Sequence, residues 1–125
     1  MLSASHRLHA AQLTADENRA AYGKCNNPHG HGHNYYLEVT LSGPVQPETG
    51  MLCDLGAVDE IVRREVLGRF DHANLNLAQD FAAEVPTTEN LTIQIHRILS
   101  RSGLPVHLEG IRIEETANNS FEYVG

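Results

Sequence analysis

From residue 31 to residue 41 the chain alternates without a break. His31, His33, Tyr35, Leu37, Val39 and Leu41 fall on one side, and Gly32, Asn34, Tyr36, Glu38 and Thr40 on the other. A period of two is the pattern of a half-buried strand; a helix would scatter these side chains around its axis. Gly43-Pro44 stops the strand. Residues 2–8 repeat the pattern, with Leu2, Ala4, His6 and Leu8 opposite Ser3, Ser5 and Arg7. Residues 106–116 do so again, with Ile111, Ile113 and Glu115 sharing a face. The Pro47–Gly50 turn leads into Met51-Leu52-Cys53, which reads as the return arm of a hairpin, and Asn118-Asn119 reads as a hairpin turn into Phe121–Val124.

Between the strands lie two helical patterns. Asp54 can cap a helix whose apolar positions are Leu55, Val58, Val62, Val66, Leu67 and Phe70, and Thr87 or Thr88 can cap a second carrying Leu91, Ile95, Ile98 and Leu99, ended by Gly103 and Pro105. Residues 14–30 read as a polar segment ending in a loop, and residues 71–87 as a second polar loop. The order β, β, β, α, α, β, β points to an α+β design: an antiparallel sheet with two helices on one face. With 125 residues and neither repeat nor linker, residues 1–125 are read as a single domain around one core.

Nine Lys and Arg against sixteen Asp and Glu give a net charge of −7, which argues against nucleic-acid binding and a basic membrane-surface role. No apolar stretch approaches the roughly 18 residues of a membrane span, and residues 1–6 lack a signal-peptide hydrophobic region, so a soluble, cytoplasmic protein without membrane or nucleic-acid partners is expected. Nucleotide-binding, zincin and hydrolase signatures are absent.

Histidine is the unusual residue, at 6, 9, 29, 31, 33, 72, 96 and 107. On a strand His31 and His33 point the same way, so both imidazoles can reach one metal ion, and His6 is the third candidate ligand. Three histidines around zinc leave the fourth position open for chemistry. His9, on the opposite face from His6, and His29, in a loop, rank behind it. Cys25 precedes the pair in a loop beside Lys24, where a cation favours the reactive thiolate; Cys53, in an apolar run, fits an inert thiol. His72 can relay protons with Asp71 holding its tautomer, or Asp71 can merely cap a loop against which His72 packs. Glu115 on an apolar face needs a partner: either a two-pronged ligand edge with an N–H beside an amino group, or an arginine across the sheet.

The segments SASHRL (3–8), YGKCNNPHGHGHNY (22–35), PETGML (47–52), FDHANLN (70–76), PTTENL (86–91) and ETANN (115–119) together resemble the 6-pyruvoyltetrahydropterin synthase / 6-carboxytetrahydropterin synthase family along nearly the whole chain. The resemblance implies the tunnelling fold (T-fold): a four-stranded antiparallel sheet backed by two helices, its subunits joined edge to edge into an oligomeric barrel. It implies a homo-oligomer, trimer or hexamer, with active sites between subunits. It implies one Zn2+ per subunit on His6, His31 and His33, Cys25 as general base with Asp71 and His72 as relay, and a pterin anchored by Glu115 with Thr87, Thr88 and Glu89 nearby. Lys24 and Arg7 are assigned to phosphate contacts. The implied substrate is 7,8-dihydroneopterin triphosphate, and the implied activity a carbon–oxygen lyase releasing triphosphate.

Five residues separate Cys25 from His31, a loop length like that of pyruvoyl synthases. The carboxy branch, which also releases acetaldehyde on the route to queuosine-type deazapurines, is the alternative. The chain starts almost at SASHRL, where relatives carry several more strand residues, so a short first strand is expected. Two further readings stand beside catalysis: a pterin-binding module without turnover, and a scaffold whose histidines only cross-brace the sheet.

Overall fold

The computed structural model describes residues 2–22, 26, 31–116 and 119–125. Its long strand, β2 (His31–Ser42), serves two neighbours in succession. The first half pairs antiparallel with β1 (Leu2–His6), setting Tyr35 opposite Leu2 and His33 opposite Ala4; the second pairs antiparallel with β4 (His107–Thr116), setting Leu37 opposite Ile113 and Val39 opposite Ile111. β5 (Asn119–Val124) closes one edge antiparallel to β4. At the other edge β3 (Ala73–Asn74) runs parallel to β1, giving the order β3-β1-β2-β4-β5.

Directly opposed residues point to the same side of a sheet. These registers therefore gather Leu2, Ala4, Tyr35, Ile111 and Ile113 on one buried face. Two helices cover that face. Helix α2 (Leu55–Val62) continues through a π-helical segment, Arg63–Leu67, and a last turn, Gly68–Phe70; helix α3 spans Thr88–Ser100. Val66 and Phe70 from the first, and Leu91, Ile95 and Leu99 from the second, are all fully buried there. Both expected caps form: Asp54 Oδ1 accepts from the Gly56 and Ala57 amides, and Thr87 Oγ1 accepts from Asn90 N at 3.1 Å. The π segment follows from the sequence. Val58, Val62, Val66 and Phe70 are each four residues apart, so on an ideal α-helix the stripe would drift by about 40° per step. The wider i→i+5 bonding, with Gly68 N donating to Arg63 O, relaxes that drift and keeps Val66 and Phe70 on the core.

Four expectations need correction. The sheet has five strands and is mixed, because the polar loop after Phe70 supplies β3; that stretch also holds two 3-10 turns, Leu75–Leu77 and Gln79–Phe81, which bury Leu75 and Phe81. Met51-Leu52-Cys53 forms no strand: Gln46 and Met51 close a tight loop, with Gly50 at φ +69°, and of the three only Cys53 is fully buried. Asn119 belongs to β5, opposite Thr116, and Asn118 lies outside the described residues.

The last correction is a helix. Residues Ala15–Tyr22 form α1, where a polar segment ending in a loop was expected. It has no apolar stripe; its one buried residue is Asn18, whose amide bonds the Ala10 amide and the carbonyls of Ala10, Leu13 and Thr14. Thr14 and Glu17 cap it reciprocally, each side chain accepting from the other's backbone N–H. Thr-x-x-Glu was the legible signal; a search for hydrophobic periodicity passes over it.

Candidate metal centre and active site

Strand alternation turns His6, the last residue of β1, into the core, where it is 1% exposed. Its Nδ1–H donates to the Pro86 carbonyl at 3.0 Å, and the buried Tyr35 hydroxyl lies 3.3 Å from the same nitrogen. A carbonyl can only accept, so this contact fixes the tautomer and leaves Nε2 as the ligating atom. His33 enters from β2 with its ring edge-on to that of His6, centroids 4.9 Å apart. Glu115 enters from β4. Its Oε1 lies 2.9 Å from His33 Nε2, and its Oε2 accepts from the Thr88 hydroxyl at 2.7 Å.

One ligand atom from each of His6, His33 and Glu115 lies within 4.8 Å of the others. Two imidazoles and a carboxylate, largely sheltered from water, form a donor set that can hold a metal ion. The expected trio is recovered in part. His31 stands opposite His6 in the β1–β2 ladder, but its side chain is not among those described. Glu115, expected as a ligand anchor, joins the cluster directly. Among the described residues it takes no arginine: Arg112 faces the other side, 3.6 Å from Glu38 and 3.7 Å from Glu114.

Asp71 and His72 are not members of this donor set. Asp71 Oδ1 accepts from Ser3 N at 2.9 Å and its Oδ2 lies 3.6 Å from His72 Nε2, so Asp71 both caps the loop and pairs with the imidazole. His72 sits in the left-handed region at φ +60°, and its side chain is 84% exposed. A cavity of about 360 Å3 runs past it, lined by Ser3, Ser5, Gly32, His33, Asn34 and His72. Ser3, Ser5, Gly32 and Asn34 are the alternate residues of β1 and β2, and Ser3 Oγ–H donates to Asn34 Oδ1 at 2.7 Å. These four residues lie on the sheet face opposite to that of His6.

The other candidates separate. Thr87 caps α3, Thr88 holds Glu115, and Glu89 is exposed in the first turn of that helix. Arg7 is engaged in the fold: its backbone is clasped by the Asn76 amide on both sides, and its Nε donates to Asn26 O at 3.3 Å. His9 is not a ligand of the cluster; its Nδ1 accepts from Asn26 Nδ2 at 3.1 Å. Lys24, Cys25 and His29 lie outside the described residues. Pro86 and Tyr35, which orient His6, escaped the sequence reading. Tyr35 could have been found by its place two residues beyond His33 on the same face; the Pro86 carbonyl leaves no side-chain signal.

The family model for 6-pyruvoyl tetrahydropterin synthase matches residues 1–125. The 6-pyruvoyl tetrahydrobiopterin synthase of Drosophila melanogaster is 42% identical over 125 residues, covering 98% of this chain and 74% of that protein. The protein of the same name from Homo sapiens is 41% identical, covering 98% of this chain and 86% of its own length. The solved structure of Caenorhabditis elegans 6-pyruvoyl tetrahydropterin synthase superimposes with a TM-score of 0.87 at 40% identity, over 99% of this chain and 89% of that one. With its fold, its His–His–Glu cluster and these likenesses along its whole length, the chain belongs to the 6-pyruvoyl tetrahydropterin synthase family of lyases.

Proposed function

We propose that this chain is a zinc-dependent synthase of the pyruvoyl type, converting 7,8-dihydroneopterin triphosphate with release of triphosphate. The observation that carries the reading is the convergence of His6, His33 and Glu115 from three strands. Zinc suits the imidazoles of His6 and His33, with His31 as the third; bound there, it would supply a Lewis acid for the side-chain hydroxyls of the substrate.

The chain's own residues do the rest. Glu115 accepts two donors from the pterin edge, an N–H and the neighbouring amino group, and the Thr87–Glu89 turn borders the ring. The Cys25 thiolate removes a carbon-bound proton from the side chain, and triphosphate departs. His72 moves protons with its tautomer held by Asp71. Because the His72 side chain is exposed and lines a cavity along β1 and β2, we propose that the pair serves the centre of a neighbouring copy, in a trimer or hexamer that joins sheet edges into a T-fold barrel. Lys24 and Arg7 are proposed to meet the triphosphate. The whole span 1–125 acts as one domain in this reading, working in the cytoplasm.

Product analysis with 7,8-dihydroneopterin triphosphate is the test. Triphosphate without acetaldehyde, from protein carrying about one zinc per chain, is the expected result. Acetaldehyde would instead assign the 6-carboxytetrahydropterin branch, and pterin binding without turnover a module that has lost catalysis.

A further inference from the structure

We infer that metal binding at His33 and ligand binding at Glu115 are coupled through the 2.9 Å contact between these two side chains, with Thr88 as the positioning residue for the carboxylate. The inference rests on the reading of Glu115 as the pterin anchor.

Both carboxylate oxygens are engaged in this structure. Oε1 faces His33 Nε2 at 2.9 Å, and Oε2 takes the Thr88 hydroxyl proton at 2.7 Å. The His33 and Glu115 side chains are only 15% and 11% exposed, so water is a poor substitute for either partner. A ring nitrogen has one in-plane site. A proton on Nε2 can serve Oε1 at that distance; once His33 gives that lone pair to a cation it has no proton there to offer.

Glu115 then keeps the Thr88 contact but loses the donor on Oε1, and a buried carboxylate oxygen without a donor is costly. A ligand edge with two adjacent N–H donors restores the pairing. Metal and pterin therefore assist each other without touching. Thr88 is well placed to hold the carboxylate meanwhile: it is 3% exposed and sits in the first turn of α3, where the Thr92 hydroxyl donates to its carbonyl at 2.7 Å. The preceding Pro86 carbonyl orients His6, so one turn braces both halves of the centre.

The probe is unsubstituted pterin, 2-amino-4-oxopteridine, which has the two-donor edge and no side-chain hydroxyl to reach the metal. Its dissociation constant is measured by fluorescence on the full-length protein, chelator-treated and zinc-loaded. Zinc should tighten pterin at least about tenfold, and pterin should tighten zinc by the same factor, as linkage requires. Metal-free His33→Ala should bind pterin as the zinc-loaded wild type does. Thr88→Val should weaken pterin in the wild-type background and have no effect in a Glu115→Gln background, which is the mark of action through Glu115. Pterin affinity that needs Glu115 but ignores zinc would overturn the coupling alone. Weaker binding with zinc would overturn it too, and would mark Glu115 as a ligand of the ion. Pterin binding that survives Glu115→Gln unchanged would overturn the anchor reading beneath it as well.

Discussion

Replacing His6 by alanine separates a histidine kept for the metal from one kept for the scaffold. In the folded protein the ring is 1% exposed, packs edge-on to His33 and supplies the N–H for the Pro86 carbonyl. Leaving a buried carbonyl without its donor costs about 1–3 kcal/mol. The lost contacts of the ring add about 1–2 kcal/mol. Water entering the space returns part of this, so a net loss of about 2–4 kcal/mol is expected with no metal present. At an unfolding slope of about 2 kcal/mol per molar urea, the midpoint should fall by roughly 1–2 M. The assay is urea unfolding of chelator-treated wild type and His6→Ala, repeated with excess zinc. The wild type should gain stability from zinc, by about 2.7 kcal/mol at a hundredfold excess over the dissociation constant, and the variant should gain far less. Equal midpoints without metal would refute the bracing argument drawn from the Pro86 contact. Equal gains with zinc would remove His6 from the metal centre.

Three other outcomes are expected. Cys25→Ala should abolish turnover and leave zinc content intact, as read by metal analysis beside triphosphate release; retained turnover would remove Cys25 from the chemistry. Asp54→Ala, which deletes the cap of α2 and is no part of the cluster, should cost about 1 kcal/mol in urea unfolding without changing the zinc content. The third concerns pH: burial, and then the charge of His107, lower the His96 pKa below its ordinary 6.5. The unfolded chain then binds the proton more readily, so this contribution is complete above about pH 6.5 and is lost as the pH falls below it. Replacing His96 with glutamine should flatten the slope of stability against pH in that window; an unchanged slope would refute the assignment.

The residues that line the candidate metal centre were legible one strand at a time. Alternation by itself put His6 with Leu2 and Ala4, and Glu115 with Ile111 and Ile113, and Asp54 and Thr87 marked their helices, because side-chain direction and helix capping are set within a few residues. What the sequence left open was partnership. Glu115 had an arginine or a ligand edge as rival partners, and the structure pairs it with His33 and Thr88. The apolar run at Met51 promised a strand and the polar stretch after Asp71 a loop, yet β3 formed from the latter. Asp71 and His72 were legible as a pair, but not the contact of Asp71 with the Ser3 amide or the exposure of His72. Strand order and register are chosen by burying all the apolar faces together, across tens of residues. For that reason the Pro86 carbonyl could reach His6, eighty residues earlier in the chain, only once the tertiary structure had formed.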